Sequence, residues 1–137
     1  MRTSRGSLVV LLFYSLVVFV SPDFAQGNNS GFVLPPDPGK AGKESLLGID
    51  TDGDGVRDDI QRYIYFTYPD DKKLRLGLTY YAIEFQGVLK DANDREAAYD
   101  HANKMARHGE CLWYLKGEKS IDICNALRAK ILNTRER

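Results

Sequence analysis

A chain of 137 residues has room for one domain. Its 19 basic and 19 acidic side chains cancel, so nothing in the charge balance asks for nucleic acid as a partner. Eight Tyr, six Phe and one Trp supply a modest core, of a size that a cross-link or a metal commonly supports in small domains.

The amino terminus reads as a targeting segment. Arg2 and Arg5 form a basic start, and Leu8 to Val20 is apolar except for Ser15. That run is shorter than the roughly 20 residues that span a bilayer, but it suits the apolar region of a secretory signal. With Ala25 before the cut, residues 1–25 are expected to be a signal peptide that sends the chain to the bacterial periplasm or the medium. The alternative is an uncleaved anchor, and only then would the chain stay on a membrane.

Residues 26–47 are predicted to be a flexible linker. Asn28, Asn29 and Ser30 are followed by Pro35, Pro36 and Pro38, with Gly27, Gly31, Gly39 and Gly42 among them. Pro and Gly at this density disfavour helix and ladder alike. The stretch is expected to be an extended tether, with a proline-rich ligand for a partner as the competing reading.

The next stretch carries the chemistry. In Asp50-Thr51-Asp52-Gly53-Asp54-Gly55-Val56-Arg57-Asp58-Asp59, three carboxylates alternate and a Gly follows the third. An EF-hand-type calcium loop takes ligands from its first, third and fifth residues, a carbonyl from the seventh and often a water held by the ninth. Counted from Asp50, these are Asp50, Asp52, Asp54, the Val56 carbonyl and Asp58. Gly55 falls on the sixth position, where the chain turns sharply. The bidentate Glu of the twelfth position is replaced by Gln61, so Asp58, Asp59, Gln61 or water is left to complete the site. The expected cofactor is Ca2+, held weakly, on the order of 10⁻⁴ to 10⁻³ M as in extracellular modules. An Asp/Gly-rich turn at a helix start is the competing reading, but it explains only one or two of these Asp residues.

Four helices are predicted after the loop, and no internal repeat or long strand pattern is present. Val56, Ile60, Tyr63 and Ile64 recur at helical spacing, and Tyr68-Pro69 ends that helix. Asp70 or Asp71 caps a second helix with the stripe Leu74, Leu78, Tyr81, Phe85 and Leu89. Asn93 with Glu96 reads as a capping box for a third, whose stripe is Ala98, Ala102, Met105, Gly109 and Leu112. Gly117 stops it. Ser120 is expected to cap the fourth, with Ile121, Cys124, Leu127 and Ile131 facing inward. The expected fold is mainly α, a small antiparallel bundle of about four helices over residues 48–137.

The loop resembles the calcium-binding repeats of the thrombospondin type 3 kind, whose pattern is D-x-D-x-D-G-x-x-D. With the Val56 to Ile64 run, Tyr68-Pro69, the Cys111 to Leu115 run and the Leu132 to Arg137 tail, the chain is similar to small exported bacterial proteins of unknown function. This resemblance implies calcium and no reaction.

Cys111 and Cys124 are the only cysteines, and in an exported chain such a pair is expected to form a disulfide. His108, three residues before Cys111, shares its helix face, but no third group is evident to orient a thiolate–imidazole pair. His101 and His108 lie two turns apart, about 10.5 Å, too far to share one zinc. Tyr80, Tyr81, Tyr99, Trp113 and Tyr114 read as core and rim of the bundle more readily than as a ligand groove. No nucleophile elbow, phosphate loop or zinc-protease motif is present, so an enzyme is not expected. The expected function is an exported calcium-binding structural or interaction module with an envelope or extracellular partner. A small calcium-assisted hydrolase and a lipid- or peptide-binding bundle stapled by calcium are the alternatives.

Overall fold

The computed structural model describes residues 33–134. The expected signal peptide of residues 1–25, residues 26–32 of the expected linker and the last three residues lie outside the described residues. Among the described residues there are four α-helices and no strand: α1 (Asp58–Thr67), α2 (Lys72–Lys90), α3 (Arg95–Lys116) and α4 (Lys119–Ile131). The chain is mainly α, a small helical bundle. None of these helices is long and apolar enough to cross a membrane.

Helix α2 is the centre, because it packs against each of the other three. Its pairing with α3 is the most extensive and is antiparallel: Asp71 meets Lys116, Gly77 faces Leu112, Tyr81 lies near Gly109, and Glu84 meets His101. The glycine that lets the two helices pack closely is on α2 rather than on the α3 stripe, where a methyl added at Gly109 would meet Tyr81 at an ordinary 3.9 Å. A methyl added at Gly77 would stand 2.9 Å from Leu112. The core joins Val56, Ile60 and Ile64 to Leu74, Leu78, Tyr81 and Ala82, then to Leu112, Cys124, Leu127 and Ile131.

Helix ends follow local chemistry. Asp71 caps α2 by accepting from the Leu74 N–H at 2.9 Å. The cap of α3 is Asp94 rather than Asn93. Its Oδ1 accepts from Glu96 and Ala97, both at 3.1 Å. Ser120 does not cap α4. It is buried within the first turn, where its hydroxyl donates to the Gly117 carbonyl at 2.7 Å. With its one polar atom bonded, Ser120 takes the inward position and turns Ile121 out, 54% exposed.

Two adjacent charged residues, Arg57 and Asp58, are enclosed among the described residues. Arg57 has no exposed surface. Its Nε and Nη2 donate to the two carboxylate oxygens of Asp59 at 2.9 and 2.7 Å. Nη1 donates to the Ile131 carbonyl at 2.8 Å and reaches the Leu46 carbonyl at 3.4 Å. Ile131 closes α4, so its carbonyl lacks an intrahelical partner and sits at the negative end of the helix dipole. Gly48 makes room for the guanidinium. Its φ is +58°, and a Cβ there would meet Arg57 Cδ and Nε at 2.7 Å.

Residues 33–47, the second part of the expected tether, are laid against the bundle. Pro35 and Gly42 are buried, and a single 3-10 turn forms at Ala41–Lys43. The Pro35 carbonyl accepts from Arg62 Nη1 at 2.8 Å, and the Leu46 carbonyl faces Arg57. A segment without ladder or helix must bond its carbonyls elsewhere, and here two buried or half-buried arginines take them.

Two outcomes are expected. Arg57→Ala should lower unfolding free energy by about 3–5 kcal/mol, because Asp59 and the Ile131 carbonyl lose the donors that Arg57 supplies. Removing Asp59 as well should recover part of that loss in chemical denaturation. The second concerns Asp71, whose carboxyl is held below its ordinary value first by the Lys116 ammonium and then by the Leu74 N–H. A lowered folded value means stability that is present above the unfolded value near 3.8 and lost as pH falls through the folded one. Asp71→Asn should therefore melt below the parent at neutral pH. Melting curves should converge as pH drops below 3.8 and Asp71 becomes protonated in both states.

Candidate metal centre

The loop folds back on itself through its own carboxylates. Asp50 Oδ1 accepts from the Gly53 N–H at 2.8 Å and Oδ2 from the Gly55 N–H at 2.9 Å. Gly53 and Gly55 have φ of +70° and +86°. That left-handed backbone turns their N–H groups inward, and side chains resist it. The loop closes where the Asp58 N–H donates to the Ile49 carbonyl at 2.8 Å, and α1 starts from that bond.

Asp50, Asp52 and Asp58 converge. Each offers an oxygen, and the three oxygens lie within 4.8 Å of one another. Asp50 and Asp52 are exposed, whereas Asp58 is buried and also accepts from the backbone N–H and hydroxyl of Thr51. This acidic cluster could hold a metal ion. Asp54 stands apart from it. Its Oδ1 accepts from the Val56 N–H at 2.8 Å and its Oδ2 from Gln61 Nε2 at 2.7 Å. Partial burial pushes the Asp54 carboxyl above its ordinary value. The Val56 N–H draws it back, and the charges of Asp52, Asp50 and Asp58 push it up again. Val56 itself has its side chain fully in the core.

Gln61, in the twelfth position, is 4% exposed. Its Nε2 lies between two carboxylates, 2.7 Å from Asp54 Oδ2 and 3.3 Å from Asp52 Oδ2. Its carbonyl Oε1 is buried with no hydrogen-bond partner. Asp59 turns away from the loop to Arg57 and takes no part.

The cysteines correct an expectation: Cys111 and Cys124 are both free. Cys111 is exposed on α3, to the side of the stripe that ends in Leu112, while Cys124 faces the core from α4. A bridge needs both side chains aimed at each other. Burial pushes the Cys124 thiol up, with Arg128 opposing it weakly, so it is a poor nucleophile.

The aromatic residues do not make one groove, nor are they mostly core. Tyr81 alone is buried, with its hydroxyl accepting from Arg128 Nε at 2.6 Å. Tyr80, Tyr99, Trp113 and Tyr114 are exposed. Tyr99 and Tyr114 are about 22 Å apart along α3. His108 stacks on Tyr80 at 5.5 Å, and His101 lies between Glu84 and Asp91, with ring nitrogens at 2.7 and 3.3 Å.

No family model, curated protein or solved structure matches this chain. The site therefore rests on its own geometry.

The functional feature that sequence reading missed is Arg57. Its only signal is a charged residue between Val56 and Ile60, both fully inward, with an acid two positions on.

In the native protein a thiol reagent should modify Cys111 quickly and Cys124 only on unfolding. Mass spectrometry of the labelled chain, without reductant, reads one adduct before denaturation and two after it.

Proposed function

We propose that this protein is an exported calcium-binding module in which one loop ion braces a small helical bundle that meets an envelope or extracellular protein. The observation that carries the calcium reading is Gln61. Its amide donors occupy the space between Asp52 and Asp54, while its buried carbonyl has no partner. The NH2 end brings partial positive charge where the loop has excess negative charge. A half-turn of the amide exchanges its two ends. The carbonyl then faces Asp52 and Asp54, an arrangement that repels unless a cation lies between. Oxygen donors alone, on a loop with two glycines, suit calcium over a softer metal. Asp50, Asp52, Asp54, Asp58, the Val56 carbonyl and Gln61 would hold the ion.

The ion would supply charge neutralisation and cross-linking of the loop to the first turn of α1. A calcium-assisted hydrolase would need a base with an unshared lone pair beside the ion. His101 shares a depression with Asp50, yet both its nitrogens face carboxylates. Export rests on the Arg2/Arg5 start and the apolar run to Val20.

Calorimetric titration should find one calcium site with a dissociation constant on the order of 10⁻⁴ to 10⁻³ M. Asp52→Ala should abolish it. Gln61→Glu should tighten it while lowering the melting temperature of the metal-free protein, since a fifth negative charge joins the loop. At about ten times the dissociation constant the ion should add about 1.4 kcal/mol of stability. No heat and no shift in melting temperature at about 10 mM calcium would overturn the reading.

A further inference from the structure

A second concave site lies away from the calcium loop's ligands. Residues 37–43 of the strap (the 33–47 segment laid on the bundle), α1 and the end of α4 enclose an open cleft of about 580 Å³, within the range of about 300–1,000 Å³ that ligand pockets occupy. Four cations stand on its walls: Lys40 and Lys43 from the strap, Arg62 from α1 and Lys130 from α4. Two acids line it as well. Asp59 has both oxygens bonded to the buried Arg57, so that pair is neutral as a unit. Asp37 turns Oδ1 to the Gly39 N–H. The cleft is thus positive in a chain whose total charge is zero.

Its cations are partly fixed in advance. Arg62 donates to the Pro35 carbonyl and lies 5.2 Å from the centroid of the Phe66 ring. The Lys130 ammonium lies 5.3 Å from the centroid of the Tyr63 ring. Side chains already ordered lose less freedom when a ligand arrives. Lys40 and Lys43 are exposed and have no ion-pair partner among the described residues. Phe66 is 61% exposed, and it and Tyr63 present apolar surface between the charges.

We infer that this cleft binds an acidic peptide segment, with its carboxylates on Lys40, Lys43, Arg62 and Lys130 and an intervening apolar side chain against Tyr63 and Phe66. The cations come from three separate elements around about 580 Å³ of space, more than one small anion fills. They face one another across a hollow, which a flat bilayer does not enter. An extended peptide with acids on either side of an aromatic residue satisfies both constraints. This inference names a ligand class for the interaction module, yet it does not depend on calcium.

The test is fluorescence anisotropy of the full chain with a labelled Glu-Glu-Phe-Glu-Glu peptide, with and without calcium. Saturable binding is expected in at least one condition, weakening as salt rises. The double variant Lys40→Glu/Lys43→Glu and the single variant Lys130→Glu should each weaken it by about tenfold or more. Lys40→Gln/Lys43→Gln should weaken it less. Lys104→Glu, on the exposed side of α3 beside Asp100, should leave it unchanged. A Gln-Gln-Phe-Gln-Gln peptide should bind about tenfold more weakly, and Glu-Glu-Gly-Glu-Glu severalfold more weakly. Circular dichroism confirms that each variant is folded. No saturation by about 1 mM peptide overturns the inference, as does equal weakening by Lys104→Glu. So does binding that survives all the cleft variants. Binding to phosphatidylglycerol vesicles that the cleft variants abolish, with the peptide unbound, would make the site a membrane contact instead. Calcium titration of the same variants keeps the two readings separate: calcium binding can fail while the peptide still binds, and the reverse.

Discussion

A buried guanidinium holds this structure together. Taking Arg57 out of water costs several kcal/mol unless its donors are met, and they are met by three separate parts of the chain. Asp59 supplies the charge, Ile131 the end of α4, and Leu46 the strap. Each of these groups also gains. Asp59 is paired, and two carbonyls outside the helical ladder find a donor. Gly48 is fixed in identity by the same demand, because any side chain would press on Arg57. The Arg57 backbone N–H in turn donates to Gln86 of α2 at 3.2 Å. One residue thereby touches the strap, α1, α2 and α4.

Arg57 also occupies the eighth position of the loop. Val56 and Asp58 on either side of it are the seventh and ninth positions. The chain that would wrap the ion and the chain that closes the core are therefore the same three residues. The local conflict in the loop is complementary to this. Three carboxylates converge, Asp54 beside them is pushed above its ordinary value, and a neutral amide is drawn between Asp52 and Asp54. Asp50, Asp54 and Asp58 hold the loop by accepting its backbone N–H groups, although each added charge raises the cost of the next.

Much of the fold was legible because helices announce themselves by spacing and by punctuation. Pro69 and Gly117 mark ends that the structure keeps, and the α2 stripe is inward at Leu74, Leu78 and Tyr81. What was not legible turned on one-residue choices. Asn93 and Asp94 can both cap a helix, and the one that reaches two N–H groups does so. Ser120 looks like a cap by type, but its hydroxyl can be satisfied by Gly117 within the turn, so it goes inside and Ile121 goes out. The acidic cluster was legible as a pattern of alternate Asp residues, although spacing alone could not separate Asp54 from the other three. The free cysteines escaped because spacing in sequence says little about which way two side chains face. Arg57 escaped for a deeper reason. A charged residue is buried only when partners far along the chain converge on it, and residues 46 and 131 become its neighbours only through folding.

The seating of the strap has a mechanical meaning. Suppose the chain ahead of Val33 is held and the bundle is pulled away from it. The first bond to take the load is between Arg62 and the Pro35 carbonyl. The next is between Arg57 and the Leu46 carbonyl, reached only after the turn at Ala41–Lys43 has been drawn straight. Arg62 lies within α1 and Arg57 at its start. Tension is thus led into the helix along a row of replaceable hydrogen bonds before it reaches Asp50. The strap would then act as a strain relief for Asp50 at the head of the loop, with the later share of the load entering at Arg57, the loop's eighth residue.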